Sequence, residues 1–247
     1  MLGIIGGSGL TQLPKLAITR QQVVQTPYGN PSSALTFGTV AGRQVIFMAR
    51  HGQGHTIPPH RVNYRANLWA MQSGGVTEIA AVFSVGGISK TLGPGVIVVP
   101  DQLIDYTDGR AQTYFDGHDL KVVHVDFTQP YTQAVRQSLL SAAVRAGIPA
   151  IDGGVYGVVN GPRLETAAEI NRLERDGATM VGMTGMPEAG LARELGLDYA
   201  ALAVSVNHAA GRGDSAEQIS MKQMESVLVP AMARVREILE CWVHHHD

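Results

Sequence analysis

Glu78-Ile-Ala-Ala-Val-Phe-Ser-Val-Gly-Gly87 is apolar at successive positions, without the alternation of a half-solvated strand, and it closes on a hydroxyl and two glycines. A strand of this kind is covered by helices on both faces. Comparable runs lie to either side: LGIIGG (2–7), QVIFMAR (44–50), GVIVVPDQLIDY (95–106), GVYGVVNG (154–161), ATMVGMT (178–184) and YAALAVSVN (199–207). Between them stand helical patterns at 62–75, 132–147, 164–177, 187–196 and 215–242, four of which stop at or beside a glycine. The order predicts an α/β fold of three layers, with a mixed, mainly parallel sheet flanked by helices. No linker, repeat or low-complexity stretch interrupts residues 1–247, which are expected to form one domain.

Charged residues make up only 16% of the 247 residues, below the roughly 25% of ordinary soluble domains, so much of the surface is expected to be neutral or covered by other subunits. Nineteen basic against 21 acidic side chains, with no basic run, argue against nucleic acid as a partner. No stretch approaches a membrane span. The opening MLGIIGGSGL has neither a basic leader nor a long apolar run, and the single cysteine, Cys241, suits a reducing compartment, so a cytoplasmic location is expected. His244, His245 and His246 read as a frayed tail rather than a metal site.

Glycine is over-represented, at 29 residues, and gathers at strand ends, where ligands of open α/β sheets bind. Gly6-Gly7-Ser8-Gly9 offers backbone N–H groups and a hydroxyl, the makings of an anion nest, although such turns also occur without a ligand. It is not a dinucleotide fingerprint, because Gln12 stands where the third glycine belongs. Arg50 and His51 end the next apolar run: an anion-binding fork and imidazole, or a surface ion pair and a satisfied histidine. His51, His55 and His60 are close in sequence, but no carboxylate or thiol lies among them, so no metal is expected. Ser84 and Thr184 close two further strands, as caps or as donors to phosphate. Glu165 is either a first-turn carboxylate or a reader of a heterocycle, and Asn207 either a turn residue or its companion.

Taken in order, IIGGSGL, TPYGNPS, ARHGQGHTIPPHRVNYRANLWAM, VGGIS, VVPDQLIDYT, YFDG, NGPRLET, GMTGMPEAGLARELG and VSVN closely resemble the 5′-methylthioadenosine phosphorylase branch of the trimeric purine nucleoside phosphorylases, over residues 2 to at least 230. The resemblance implies a phosphorylase/hydrolase-like fold and phosphorolysis of a purine nucleoside. It also implies a homotrimer, which in some members pairs into a hexamer, and no cofactor beyond inorganic phosphate as co-substrate. By motif, Ser8, Arg50, His51, Ser84, the Val85 backbone N–H and Thr184 correspond to the phosphate site. Met183 corresponds to the methionine against the ribose, and Leu164 stands where the family has a base-stacking phenylalanine. Met221 and Met224 lie on the helix over the 5′ substituent, and Tyr106 to Asp116 matches the loop lent to a neighbouring subunit.

Two departures bear on substrate. Adenine-specific members carry an Asp-x-Asp pair where this chain has Asn207 and Ala209, whereas Asn207 and Glu165 match the base readers of the 6-oxopurine enzymes. An asparagine donates to O6 and N7 of hypoxanthine, and a glutamate accepts from its N1–H; adenine would leave these groups unpaired. Hydroxyl-specific members place a histidine near the 5′ oxygen, and none occurs from Ala209 to Trp242. The methionines there suit a methylthio group. A 5′-methylthio-6-oxopurine nucleoside is therefore the expected substrate, with inosine or guanosine, or methylthioadenosine, as alternatives. Two readings of other classes stand beside it: a histidine phosphatase, from the Arg50-His51-Gly52 motif, and a non-catalytic nucleoside binder.

Overall fold

A computed structural model describes residues 1–117 and 121–246 of the chain. Eleven strands form one sheet: β1 (Leu2–Gly6), β2 (Ala17–Gln22), β3 (Leu35–Val40), β4 (Arg43–Ala49), β5 (Glu78–Gly87), β6 (Ile97–Val99), β7 (Gln102–Asp105), β8 (Ile151–Asp152), β9 (Val155–Val158), β10 (Met180–Gly182) and β11 (Asp198–His208). The helices are α1 (Tyr64–Ser73), α2 (Gln133–Arg145), α3 (Ala167–Arg175), α4 (Gly185–Glu194) and α5 (Met221–His244). All ten β5 residues are buried or half-buried, and six of them, Ile79–Phe83 and Val85, belong to two apolar clusters. Helices α2 and α5 cover one face of the sheet and α1 and α4 the other.

The sheet forks at β5. Strand β1 runs parallel to it over Glu78–Ala81, β10 joins antiparallel at Gly86–Gly87, and β11 follows it along the opposite edge. The intervening edge, Val82–Val85, is left to the loop after β1 and to Arg50, whose Nη1 donates to the Val82 carbonyl at 2.9 Å. This notch is where the strand ends converge.

Several elements differ from the sequence reading. GVIVVPDQLIDY is two strands, β6 and β7, because Pro100 has no N–H to continue a ladder. The β2–β3 hairpin carries no apolar signature on β2, all six residues of which are exposed. The last helix begins at Met221, six residues later than its pattern, after a 3₁₀ turn at Gly213–Ser215 and with the Ser220 side chain accepting from the Gln223 N–H. The chain end is docked rather than frayed: α5 continues through His244, and His246 Nε2 lies 2.9 Å from Glu78 Oε1. The predicted glycine stops hold at Gly147, Gly177 and Gly196, each with positive φ. Among the described residues, no helix is long and apolar enough to cross a membrane.

Candidate active site

A cavity of about 630 Å³ opens at the fork. Its wall contains Ser8, Arg50, His51, Ser84, Val85, Leu164, Glu165, Met183, Thr184, Asn207, Met221 and Met224, contributed by seven separate segments. Close packing explains two glycines here. A Cβ on Gly7 would come within 2.5 Å of the Val82 carbonyl oxygen and 2.9 Å of Arg50 Nη1. Gly161, at φ +63°, admits Met183, whose sulfur would lie 2.3 Å from a Cβ at that position.

The anion end has a buried ionic floor that the sequence did not reveal. Arg50 is fully buried, and its fork is taken by Glu188, also fully buried: Nε donates to Oε2 at 2.6 Å and Nη2 to Oε1 at 2.7 Å. Tyr199 donates its hydroxyl to the same Oε1 at 2.8 Å. Burial disfavours the Arg50 charge, but the Glu188 carboxylate outweighs it and holds the guanidinium protonated. Arg50 therefore cannot present an open bidentate fork to a ligand, as the motif led us to expect. With Nη1 on Val82, two of its five N–H groups remain. The signal for Glu188 was present in PEAGLARELG, where it shares a helix face with Leu191 and Ala192 and so points inward.

His51 is nearly buried, and its Nδ1 lies 2.8 Å from the Ile57 carbonyl. Desolvation first, and the Arg50 charge second, lower its pKa to about 4. The His55 ring lies beside it, tilted by 44° with centroids 4.5 Å apart, on a backbone with φ +51°, and the segment His55–Pro59 lines the cavity, a wall that the sequence reading did not include. His60 is exposed in the turn Pro59–Arg61, and no group of three His, Cys, Asp or Glu among the described residues is placed to hold a metal ion.

At the opposite end, Thr166 caps α3 in a reciprocal box with Glu169, which frees Glu165, just before it, to face the cavity. Among the described residues the Glu165 carboxylate is hydrogen-bonded by its own backbone N–H and by no other side chain, and burial raises its pKa. A bulge between Ser205 and Asn207 re-aims the end of β11. Asn207 lines the cavity while its Nδ2 donates to the His208 carbonyl at 2.6 Å, so one of its two amide protons is engaged and the other, with Oδ1, is free. Ala209 does not line the cavity. β11 ends at His208, and Ala209, beyond it, is buried against Ile88, Ile170 and Val181. Met221 is 64% exposed at the rim, whereas Met224 packs inward. The loop Tyr106 to Asp116 is held on its own chain: Arg110 donates to the Asn160 carbonyl at 3.0 Å, and Glu194 accepts from Thr113 and the Tyr114 N–H, each at 2.7 Å.

Comparison with known proteins agrees with this geometry. A probable S-methyl-5′-thioinosine phosphorylase of Pseudomonas syringae pv. tomato is 51% identical over 236 residues, covering 96% of this chain and 95% of its own. A 6-oxopurine nucleoside phosphorylase of Pyrococcus furiosus is 46% identical over 215 residues, covering 85% and 80%. Among solved structures, a methylthioadenosine phosphorylase from Schistosoma mansoni in complex with adenine superposes with a TM-score of 0.93 at 33% identity, covering 98% of this chain and 90% of that one. None of these relatives is a histidine phosphatase, and residues 1–240 match the phosphorylase superfamily as a whole. The chain belongs to that superfamily.

Proposed function

We propose that this enzyme cleaves S-methyl-5′-thioinosine with inorganic phosphate, giving hypoxanthine and 5-methylthioribose 1-phosphate. The observation that carries the reading is one end of the cavity, lined by the Glu165 carboxylate and a half-engaged Asn207 amide, a set suited to a 6-oxopurine edge, where adenine-specific relatives would place two aspartates. The names of the relatives in Pseudomonas and Pyrococcus support it. Met224 and the rim residue Met221 form an apolar, adaptable surface for the methylthio group.

In this reading the glycosidic C1′–N9 bond breaks ahead of nucleophilic attack. The hydroxyls of Ser8, Ser84 and Thr184, the Val85 N–H and the two remaining Arg50 N–H groups hold phosphate against the cationic ribosyl group. Glu188 fixes the Arg50 plane from behind. Asn207 and Glu165 stabilise the departing base, while Leu164 and Met183 pack the base and sugar. Catalysis is placement and electrostatics, with no covalent enzyme intermediate.

We also assign a homotrimer, possible as half of a hexamer, in the cytoplasm. Support comes from Val122, Val123 and Val125, which stand 74%, 42% and 37% exposed just beyond the loop Tyr106 to Asp116. Phosphate dependence tests the reaction: hypoxanthine release from methylthioinosine is expected to stop when phosphate is withdrawn. Release at an undiminished rate would point to hydrolysis and refute phosphorolysis.

A further inference from the structure

We propose that His51 is a hydrogen-bond acceptor that reads the proton of the phosphate co-substrate, so that the anion site selects protonated oxyanions over unprotonated ones of the same shape and charge. The proposal rests on the phosphorolytic reading above. The Ile57 carbonyl can only accept, so the Nδ1 atom 2.8 Å away must carry the ring proton. Nε2 then bears the lone pair. The one hydrogen bond of the ring to a described residue is that of Nδ1, and His51 lines the cavity beside Ser8, Arg50 and Thr184. Burial and the neighbouring guanidinium keep the ring from acquiring a second proton near neutrality.

Around it stand the Val85 N–H and the residual Arg50 N–H groups, which can only donate, the hydroxyls of Ser8, Ser84 and Thr184, which donate to an anion, and, on the adjoining wall, His55 and Thr56. The Glu188 carboxylate is turned away onto Arg50. The Nε2 lone pair set among these donors matches HPO₄²⁻, which has one O–H and three acceptor oxygens. The reaction balances around that proton. The C1′–N9 bond breaks, a C1′–O bond forms to an unprotonated phosphate oxygen, and the sugar phosphate leaves as a dianion without the proton. The purine leaves with one proton more, gained through solvent.

Sulfate has the same shape and charge as HPO₄²⁻ but no proton, so one of its oxygens would face the Nε2 lone pair. The test is titration calorimetry of the full chain with phosphate, sulfate and monofluorophosphate, all at pH 7 and constant ionic strength. Sulfate and fluorophosphate, both unprotonated dianions, are expected to bind at least about tenfold more weakly than phosphate. In His51→Gln, whose amide can turn to accept or donate, the gap should shrink by at least about threefold. Equal affinities for the three anions in the wild type would overturn the proposal, as would an unchanged gap in a folded His51→Gln. Should that variant not fold, the fluorophosphate comparison in the wild type decides alone. Cleavage that ignores phosphate would sink the phosphorolytic reading, whereas the anion ratios judge His51 independently.

Discussion

Replacing Glu188 by alanine should leave Arg50 charged, fully buried and without the carboxylate that holds it by two hydrogen bonds of 2.6 and 2.7 Å. Breaking a buried pair from one side costs about 3–5 kcal/mol, because the remaining ion is neither solvated nor compensated. For a chain of this length each kcal/mol lowers Tm by about 2–4 °C, so Glu188→Ala should melt about 10 °C or more below the wild type. The pair also orients the two guanidinium N–H groups left for the anion, so kcat/KM for phosphate should fall by at least about a hundredfold, as when one preorganised oxyanion donor is lost. A double variant, Arg50→Met with Glu188→Leu, separates the two effects. It removes both charges and should regain most of the lost Tm while remaining inactive. Calorimetric melting with phosphorolysis assays on wild type, both single variants and the double variant would measure this. A Glu188→Ala protein with wild-type Tm, or a double variant as active as the wild type, would refute the reasoning.

Four further outcomes follow from the same geometry. Glu165→Gln should lower kcat/KM for 6-oxopurine nucleosides by about a hundredfold while leaving Tm nearly unchanged, since Glu165 has no side-chain partner among the described residues; unchanged kinetics would remove it from base reading. Asn207→Asp would set a carboxylate 2.6 Å from the His208 carbonyl, so it should weaken 6-oxopurine cleavage, and an unchanged rate of hypoxanthine release would remove Asn207 from base reading. Met224→Ser should narrow the preference for methylthioinosine over inosine by about tenfold, by substituting a hydroxyl for apolar contact; an unaltered ratio would move the 5′ group elsewhere. The folded pKa of His51, about 4, lies below its unfolded value near 6.5, so the unfolded chain binds more protons between those limits. Its contribution is therefore complete above about pH 6.5 and is lost as pH falls toward 4, up to about 3 kcal/mol, measurable as a urea midpoint that drops with acid less steeply in His51→Gln.

What the sequence made legible follows the physics of burial. Runs such as Glu78–Gly87 and Tyr199–Asn207 are apolar on both faces because helices cover both, and the glycine-punctuated helix ends follow from backbone geometry. Strand β2 was invisible, since Ala17–Gln22 pairs by main-chain hydrogen bonds while its side chains face water. Residues at strand ends, Ser8, Ser84, Thr184 and Asn207, could be gathered because an α/β sheet sends its strand ends to one place. The helix pattern turns Glu188 inward, but neither its pairing with Arg50 nor the His55–Pro59 wall could be read, because both arise from tertiary packing: one beneath Arg50, the other by a loop folded back onto His51. Ala209 was misplaced for a related reason. A bulge before Asn207 and the end of the strand at His208, neither visible in VSVNHA, decide which side chain faces the cavity.

The central claim is the substrate, and one assay addresses it most directly: phosphate-dependent cleavage of methylthioinosine, inosine, methylthioadenosine and adenosine, run side by side with the free base followed by chromatography. The account predicts methylthioinosine fastest, inosine slower, and both adenine nucleosides nearly inert. Methylthioadenosine turning over fastest would contradict it, and would mean that Glu165 and Asn207 do not read a 6-oxopurine.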